Sequence, residues 1–301
     1  MIVAVAASPS VDMTYVVNAL TPGVVHRPRA VLRLAGGKGI NVARAAGQLR
    51  AAVAAVGVVG GGAGRWIVDS LRAEGIAFTA VPGTAETRTC VSIVDVADRS
   101  STDVYPAASS LGAGEWAALE EAITKLVARR GPRWVSVSGA FPTGAPDDAV
   151  ERLTGLAHGF GAKVAVDTHG AMLERALRSN VDLIKVNQLE AAGLAGEADS
   201  TAGLCHALAA RAGRGAQVVV TAGVDGAYTL SPGEPMCHVA PSVRGVYPVG
   251  SGDSFLAGLM VALSAGRDTG EALRLATVAA AANSRVPGAG RLDASALADW
   301  Q

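Results

Sequence analysis

The chain has 301 residues, with 26 lysines and arginines against 26 aspartates and glutamates. This neutral balance gives no electrostatic attraction toward nucleic acid or an anionic membrane, so neither is expected as a partner. Half of the residues are hydrophobic, only 4% are aromatic and 37 are glycine, which suits small-residue helices on a sheet and excludes a disordered chain.

Taken in order, residues 2–7 are an apolar run that reads as a buried strand ended by Ser8 and Pro9. Asp12 follows at the strand end, where open α/β sheets place their ligand groups. Segments 13–18 and 29–34 flank Thr21-Pro22-Gly23 and read as a hairpin. The glycine turn Ala35-Gly36-Gly37-Lys38-Gly39 then runs into a helix to about Leu49. A strand over 53–58, a helix over 65–74 and a strand over 76–81 follow. A second, polar-edged hairpin is predicted over 88–96 and 101–105.

Beyond residue 113 the alternation is regular. Helices over 114–129, 145–158, 171–178 and 200–212 each precede a strand, at 133–138, 163–167, 181–186 and 216–221. Short strands near 226–230 and 236–240 lead to a helix whose buried face is Phe255, Leu256, Leu259, Met260 and Leu263, spaced at three and four residues. Helices over 268–283 and 293–300 close the chain. This rhythm predicts one domain over 1–301, a mostly parallel sheet covered by helices on both faces. Hairpin strands within about 11–34 and 87–105 would form a small sheet over the ligand crevice as a lid.

The start lacks the basic region of a secretory signal, and no apolar run reaches the ~18 residues of a membrane span. Cys90, Cys205 and Cys237 are odd in number and far apart, as in a reduced, cytoplasmic protein. The sequence holds no P-loop, no Gly-x-Gly-x-x-Gly after a strand and no Gly-x-Ser-x-Gly elbow. The five histidines show no zinc-ligand spacing.

Gly250-Ser251-Gly252-Asp253 opens the helix at 251. Glycines there permit a tight turn, the first helical turn aims free N–H groups at one point, and Asp253 stands beside them. An anion cradle next to a carboxylate is what phosphoryl transfer to an alcohol requires; a well-capped helix start has the same residues. Lys38 and Asn41 offer a cation and an amide at the first glycine turn, which also reads as a plain strand-to-helix turn. Asn187 and Glu190, at i and i+3, suit either a capping box or Mg²⁺ held through water. Thr221-Ala222-Gly223-Val224-Asp225-Gly226, at a strand end, is either a nucleotide turn or an ordinary one. Arg88 offers a planar fork of donors for a phosphate, or is a solvated edge residue.

Together these stretches resemble the PfkB-type sugar kinases of the ribokinase superfamily. The resemblance rests on residues 35–44 and 249–254, with 138–144, 166–167, 185–190 and 221–226 between them in the family's order. It implies a ribokinase-like three-layer α/β/α fold with a β-sheet lid. It also implies that Asp253 is the catalytic base, and that the backbone of Gly250, Ser251 and Gly252 cradles the γ-phosphoryl group. Lys185, Asn187, Thr221, Gly223, Gly226 and Asn283 would serve ATP, the last near the adenine. Asn187 and Glu190 would organise Mg²⁺, with a monovalent cation such as K⁺ as a further cofactor. Asp12, Gly37, Lys38, Asn41, Arg88 and Ser138 would hold the sugar, and the lid strands could pair two subunits.

Ile40-Asn41-Val42-Ala43-Arg44 and Thr87-Arg88 resemble the branch acting on phosphorylated hexoses, which implies a kinase of fructose 1-phosphate. Tagatose 6-phosphate, fructose 6-phosphate, an unphosphorylated sugar or a nucleoside are the alternative substrates. A catalytically silent sugar- or nucleotide-binding regulator is the alternative outside enzymes. The chain departs from the branch at Cys90, in place of Asn, at Ala107, in place of Gly, and at Ser251, in place of the commoner Ala.

Overall fold

The computed structural model describes every residue except Glu197, Arg214, Arg244 and Gln301. Its strands are β1 (Ile2–Ala6), β2 (Ser10–Val17), β3 (Ala30–Gly36), β4 (Val53–Gly60), β5 (Phe78–Gly83), β6 (Thr89–Asp95) and β7 (Ser100–Val104), then β8 (Trp134–Ser138), β9 (Lys163–Asp167), β10 (Leu183–Asn187), β11 (Gln217–Thr221), β12 (Ala227–Leu230) and β13 (Cys237–Val239). The helices are α1 (Lys38–Gln48), α2 (Gly61–Ala73), α3 (Ala113–Arg130), α4 (Ala149–Gly159), α5 (Gly170–Arg178), α6 (Gln188–Ala195), α7 (Thr201–Arg211), α8 (Ser251–Ser264) and α9 (Thr269–Ser284).

β1 is buried along its whole length, so both of its faces need cover, and side chains alternate between them. Val3 and Val5 join Val135, Val164 and Ile184 beneath Leu119 and Ile123 of α3, Leu153 of α4, Leu173 of α5 and Leu208 of α7. Ile2 and Ala4 point the other way, to Val42 of α1, Phe255, Leu256, Leu259 and Met260 of α8, and Leu273 of α9. The second face is small-residued, and its helices sit close. A Cβ on Gly258 of α8 would stand 2.9 Å from the Cα of Ala276 in α9. The result is the expected three-layer α/β/α fold.

Among the described residues the main sheet has the order β13-β12-β11-β10-β9-β8-β1-β4-β5. All neighbours from β11 to β5 are parallel, and β12 and β13 are antiparallel additions at one edge. The chain leaves β1 for β4 and β5 on one side, then returns to β8 on the other. A crevice therefore opens beyond the carboxyl ends of β1 and β8, the usual place for a ligand in such sheets.

Both hairpins hang over this crevice, β2–β3 following β1 and β6–β7 following β5. They join into a separate four-stranded sheet of order β3-β2-β6-β7 through a parallel β2–β6 pair that sets Asp12 beside Cys90. Val11 and Ala35, with Ile40 of α1, anchor its base on Ile67 and Leu71 of α2.

Three of the predicted helices differ from the structure. α2 starts at Gly61, not 65, because the glycine run is itself the first helical turn. Its N–H groups at Gly62 and Ala63 are capped from afar by the Glu86 carboxylate. α4 starts at Ala149 rather than 145, after a turn set by Pro146. The last predicted helix is a 3₁₀ segment, Ala294–Trp300.

Candidate active site

α8 begins on Gly250, whose φ of +84° lies in the left-handed region. A side chain there would be strained, and would also collide with Ala289, whose Cα stands 2.5 Å from the position of a Cβ. The N–H of Ser251, expected in the anion cradle, is instead committed to the Pro248 carbonyl at 3.1 Å. The N–H groups of Gly252 and Asp253 have no acceptor among the described residues. They are orphan donors of the first turn and stand ready for an anion.

Asp253 is 6% exposed and accepts a hydrogen bond from Asn41 Nδ2 of α1 at 2.8 Å. Burial pushes its carboxyl up, Lys38 pulls it down and Asp167 adds to the rise, so that it titrates at about 6. Asp167, at the end of β9, is wholly buried and bridges two ammonium groups. Lys38 Nζ lies 2.6 Å from one oxygen and Lys185 Nζ 2.7 Å from the other. Burial would raise Asp167, but Lys185 and Lys38 outweigh it and hold the carboxyl at about 2. Burial opposes the charge on Lys38 as well, yet Asp167 and Asp253 keep its ammonium above the ordinary lysine range. The site therefore holds one carboxylate fixed in its charged form and one poised to exchange a proton near neutrality.

Lys185 reaches this cluster from β10, where a Cβ on Gly252 would stand 2.8 Å from its Nζ. Backbone and ammonium can meet there only because the residue is glycine. On the far side of Ser251 and Gly252 lies a cavity of about 440 Å³. Its walls include Thr221, Gly223, Gly226, Phe255 and Thr277, and the lid tip at Arg99 and Ser100. Thr221, Gly223 and Gly226, expected to serve ATP, line this cavity together.

Asn283 is not. It is fully buried and its amide is spent inside the protein: Oδ1 accepts from Ser254 Oγ and the Gly290 N–H, and Nδ2 donates to the Val249 carbonyl. It braces the loop before α8, while Ala280, Ala281 and Ser284 of α9 take the cavity wall.

Asn187 and Glu190 form the reciprocal capping box of α6, with Glu190 N–H on Asn187 Oδ1 at 2.8 Å and Asn187 N–H on Glu190 Oε2 at 3.0 Å. Glu190 Oε1 lies outside the cap and Lys38 is within reach of its charge. The two residues offer hard oxygen donors, few in number, which fits an ion that keeps much of its water, as Mg²⁺ does.

Across the crevice, Asp12 is partly buried and takes a 2.6 Å hydrogen bond from Ser10. Burial holds its carboxyl above the usual range, against Ser10, Arg44 and Arg88. It fills the space where Gly36 has no side chain, and Gly37, at φ +95°, turns the chain into α1. Ser138 is buried at the end of β8 with no partner for its Oγ among the described residues. Arg88 donates to the Pro106 carbonyl at 2.8 Å, and its Nε is buried with no acceptor among the described residues. An unpaired buried donor of this kind is free to take a ligand atom or a water.

The sequence reading named Asp167 only as part of a matching stretch and gave Arg44 no role. A carboxylate at a strand end facing the crevice is a usable signal for Asp167. Arg44 has none, since an arginine in a helix reads as solvated.

A profile of the pfkB family carbohydrate kinases matches residues 2–295. The chain is 33% identical over 282 residues to 1-phosphofructokinase of Rhodobacter capsulatus, covering 92% of this chain and 88% of that one. Among solved structures it resembles phosphofructokinase-2 from Escherichia coli in complex with fructose-6-phosphate, with a TM-score of 0.82 and 25% identity over 94% of this chain and 93% of that one. The same Escherichia coli enzyme in complex with potassium gives a TM-score of 0.84 and 26% identity, over 97% and 94% of the two chains.

Proposed function

We propose that this chain, which belongs to the pfkB family of carbohydrate kinases, is a 1-phosphofructokinase that makes fructose 1,6-bisphosphate from fructose 1-phosphate and ATP. One observation carries the chemistry: the buried carboxylate of Asp253 stands in the same helical turn as the free N–H groups of Gly252 and its own backbone. The name of the Rhodobacter capsulatus relative supports the choice of substrate, and so does the unpaired Nε of Arg88 on the substrate side.

In this mechanism Asp253 takes the proton of the C6 hydroxyl as its oxygen attacks the γ-phosphorus. The bond from that phosphorus to the bridging oxygen breaks, and ADP leaves with the electron pair. Charge spreads onto the equatorial oxygens, where the Gly252 and Asp253 N–H groups donate without reorganising. Lys38 and Lys185 place positive charge on the two flanks, and Asp167 fixes both. Asn41 holds Asp253 in place, while Asp12 and Ser138 take sugar hydroxyls and Arg88 the 1-phosphate. ATP lies along Thr221, Gly223 and Gly226. Mg²⁺ bound by Asn187 and Glu190 through water would neutralise the nucleotide's phosphates. The potassium complex of the Escherichia coli relative supports a monovalent cation as a further cofactor.

Val31 and Val104, exposed on the two edge strands of the lid, are the basis for a homodimer formed through it. Three free cysteines accord with a cytoplasmic setting.

The test is ADP release with fructose 1-phosphate, fructose 6-phosphate, tagatose 6-phosphate, free hexoses and nucleosides. The highest kcat/KM is expected on fructose 1-phosphate. A higher value on an unphosphorylated acceptor would overturn the substrate assignment. ATP binding without ADP release on any of them would make the chain a binding regulator.

A further inference from the structure

Arg44 lies one turn along α1 from Asn41, its side chain only 4% exposed. A guanidinium carries five N–H donors in a fixed planar fork, and here every one is used. Nε and Nη2 donate to the two carboxylate oxygens of Glu74 at 2.5 and 3.0 Å. Nη2 also donates to the Ala35 carbonyl at 2.5 Å, and Nη1 to Asn41 Oδ1 and the Ala289 carbonyl, each at 3.2 Å. The partners come from the end of α2, the end of lid strand β3, the substrate-side helix α1 and the turn after α9.

The bond to Asn41 has a consequence for the neighbouring carboxylate. An amide side chain has an accepting end and a donating end, and a guanidinium can only donate. With Oδ1 held by Arg44, Nδ2 must face Asp253, which it does at 2.8 Å. Flipped over, the amide would set its oxygen against the carboxylate and its NH₂ against the guanidinium. The bond to Ala289 acts on the other half of the site, because Gly250 fits directly against that residue.

We propose that Arg44 is a positioning residue for phosphoryl transfer: through Asn41 it keeps an N–H aimed at Asp253, and through Ala289 it seats the glycine loop beside that carboxylate. The consequence for turnover rests on Asp253 being the base; the orientation of Asn41 does not. The charges facing Asp253 are Lys38 on α1, Asp167 on β9 and Lys185 on β10, whereas the contact with Arg44 runs through Asn41.

The test is Arg44→Lys, which keeps the charge but gathers its donors on one nitrogen that cannot serve Glu74, Asn41, Ala35 and Ala289 together. The Asp253 carboxyl is titrated by ¹³C NMR in the substrate-free protein, its resonance assigned by its loss in Asp253→Asn. Losing a donor to the charged form raises a carboxyl's titration midpoint. The expected rise is roughly one pH unit, about tenfold in the ionisation constant. kcat should fall about tenfold with KM for ATP unchanged, as for a group acting on the transition state alone.

If Arg44→Lys does not fold, the double substitution Arg44→Met with Glu74→Met removes both charges and still frees the amide. A folded variant of either kind with an unchanged midpoint and kcat within twofold of wild type overturns the proposal, even if its melting temperature drops. The NMR midpoint is read without turnover, so it decides the role of Arg44 even if Asp253→Asn proves active.

Discussion

The start of α8 and the lid face each other across one crevice, and they are built on opposite terms. Around Asp253 the polar groups are buried, or half-buried in the case of Lys38, and answer one another: Asn41 to Asp253, Lys38 and Lys185 to Asp167, Arg44 to Asn41. Their energies are coupled by a low local dielectric, so none can change without disturbing the rest. In the lid, Arg88 is only partly buried and leans on a backbone carbonyl, and Val31 and Val104 lie open on the edges. Chemistry sits in the part that cannot vary cheaply. On the proposed mechanism, selection of the sugar falls to the small sheet, whose side chains are fewer in partners and more exposed.

That contrast predicts a split between kcat and KM. The largest effect is expected from Asp167→Asn, which leaves the buried Lys185 ammonium and the half-buried Lys38 ammonium unbalanced. It should cost about 3–5 kcal/mol of stability, measured by denaturant unfolding at neutral pH, and should depress kcat as well. The sign with pH follows. Asp167 titrates at about 2 in the folded protein against an ordinary 3.8, so its stabilisation is present above pH 4 and lost as the pH falls toward 2. The difference between wild type and Asp167→Asn should shrink over that window.

Gly252→Ala comes next. Its Cβ would press on the Lys185 ammonium, so kcat should fall by up to about 100-fold, the cost of an ångström of misplacement at a reacting centre. Arg88→Ala should do the reverse, raising KM for fructose 1-phosphate by about tenfold, as for the loss of one charge-assisted hydrogen bond. Its kcat and KM for ATP should be near wild type. A kcat loss at Arg88 equal to that at Gly252 would erase the distinction between the two regions.

The alternation of helices and strands was readable from residue patterns, because each element shows its own period. The order of the strands was not, since nothing local tells β8 to return beside β1 rather than extend from β5. Asp253, Asn41 and Lys38 stood out as charged or amide residues at glycine turns, but a helix cap or a plain turn has the same residues, and only the resemblance of several distant stretches gave them roles. Asn283 was misplaced because a polar residue in an alanine-rich helix carries no mark of the direction it faces, and packing turned it toward Ser254. Arg44 went unassigned for the same reason. Its partners Glu74, Ala35 and Ala289 are gathered only by the fold. Asn187 and Glu190 do form the capping box that their spacing allowed, and capping leaves one carboxylate oxygen over for a hydrated ion.

Single-turnover phosphoryl transfer by Asp253→Asn, with saturating ATP and fructose 1-phosphate at neutral pH, tests the central claim most directly. A general base contributes about 10²–10⁴-fold in rate. The predicted result is a loss of at least 100-fold with both ligands still bound. Transfer within tenfold of the wild-type rate would remove Asp253 from the chemistry and leave its helix end as an anion site alone.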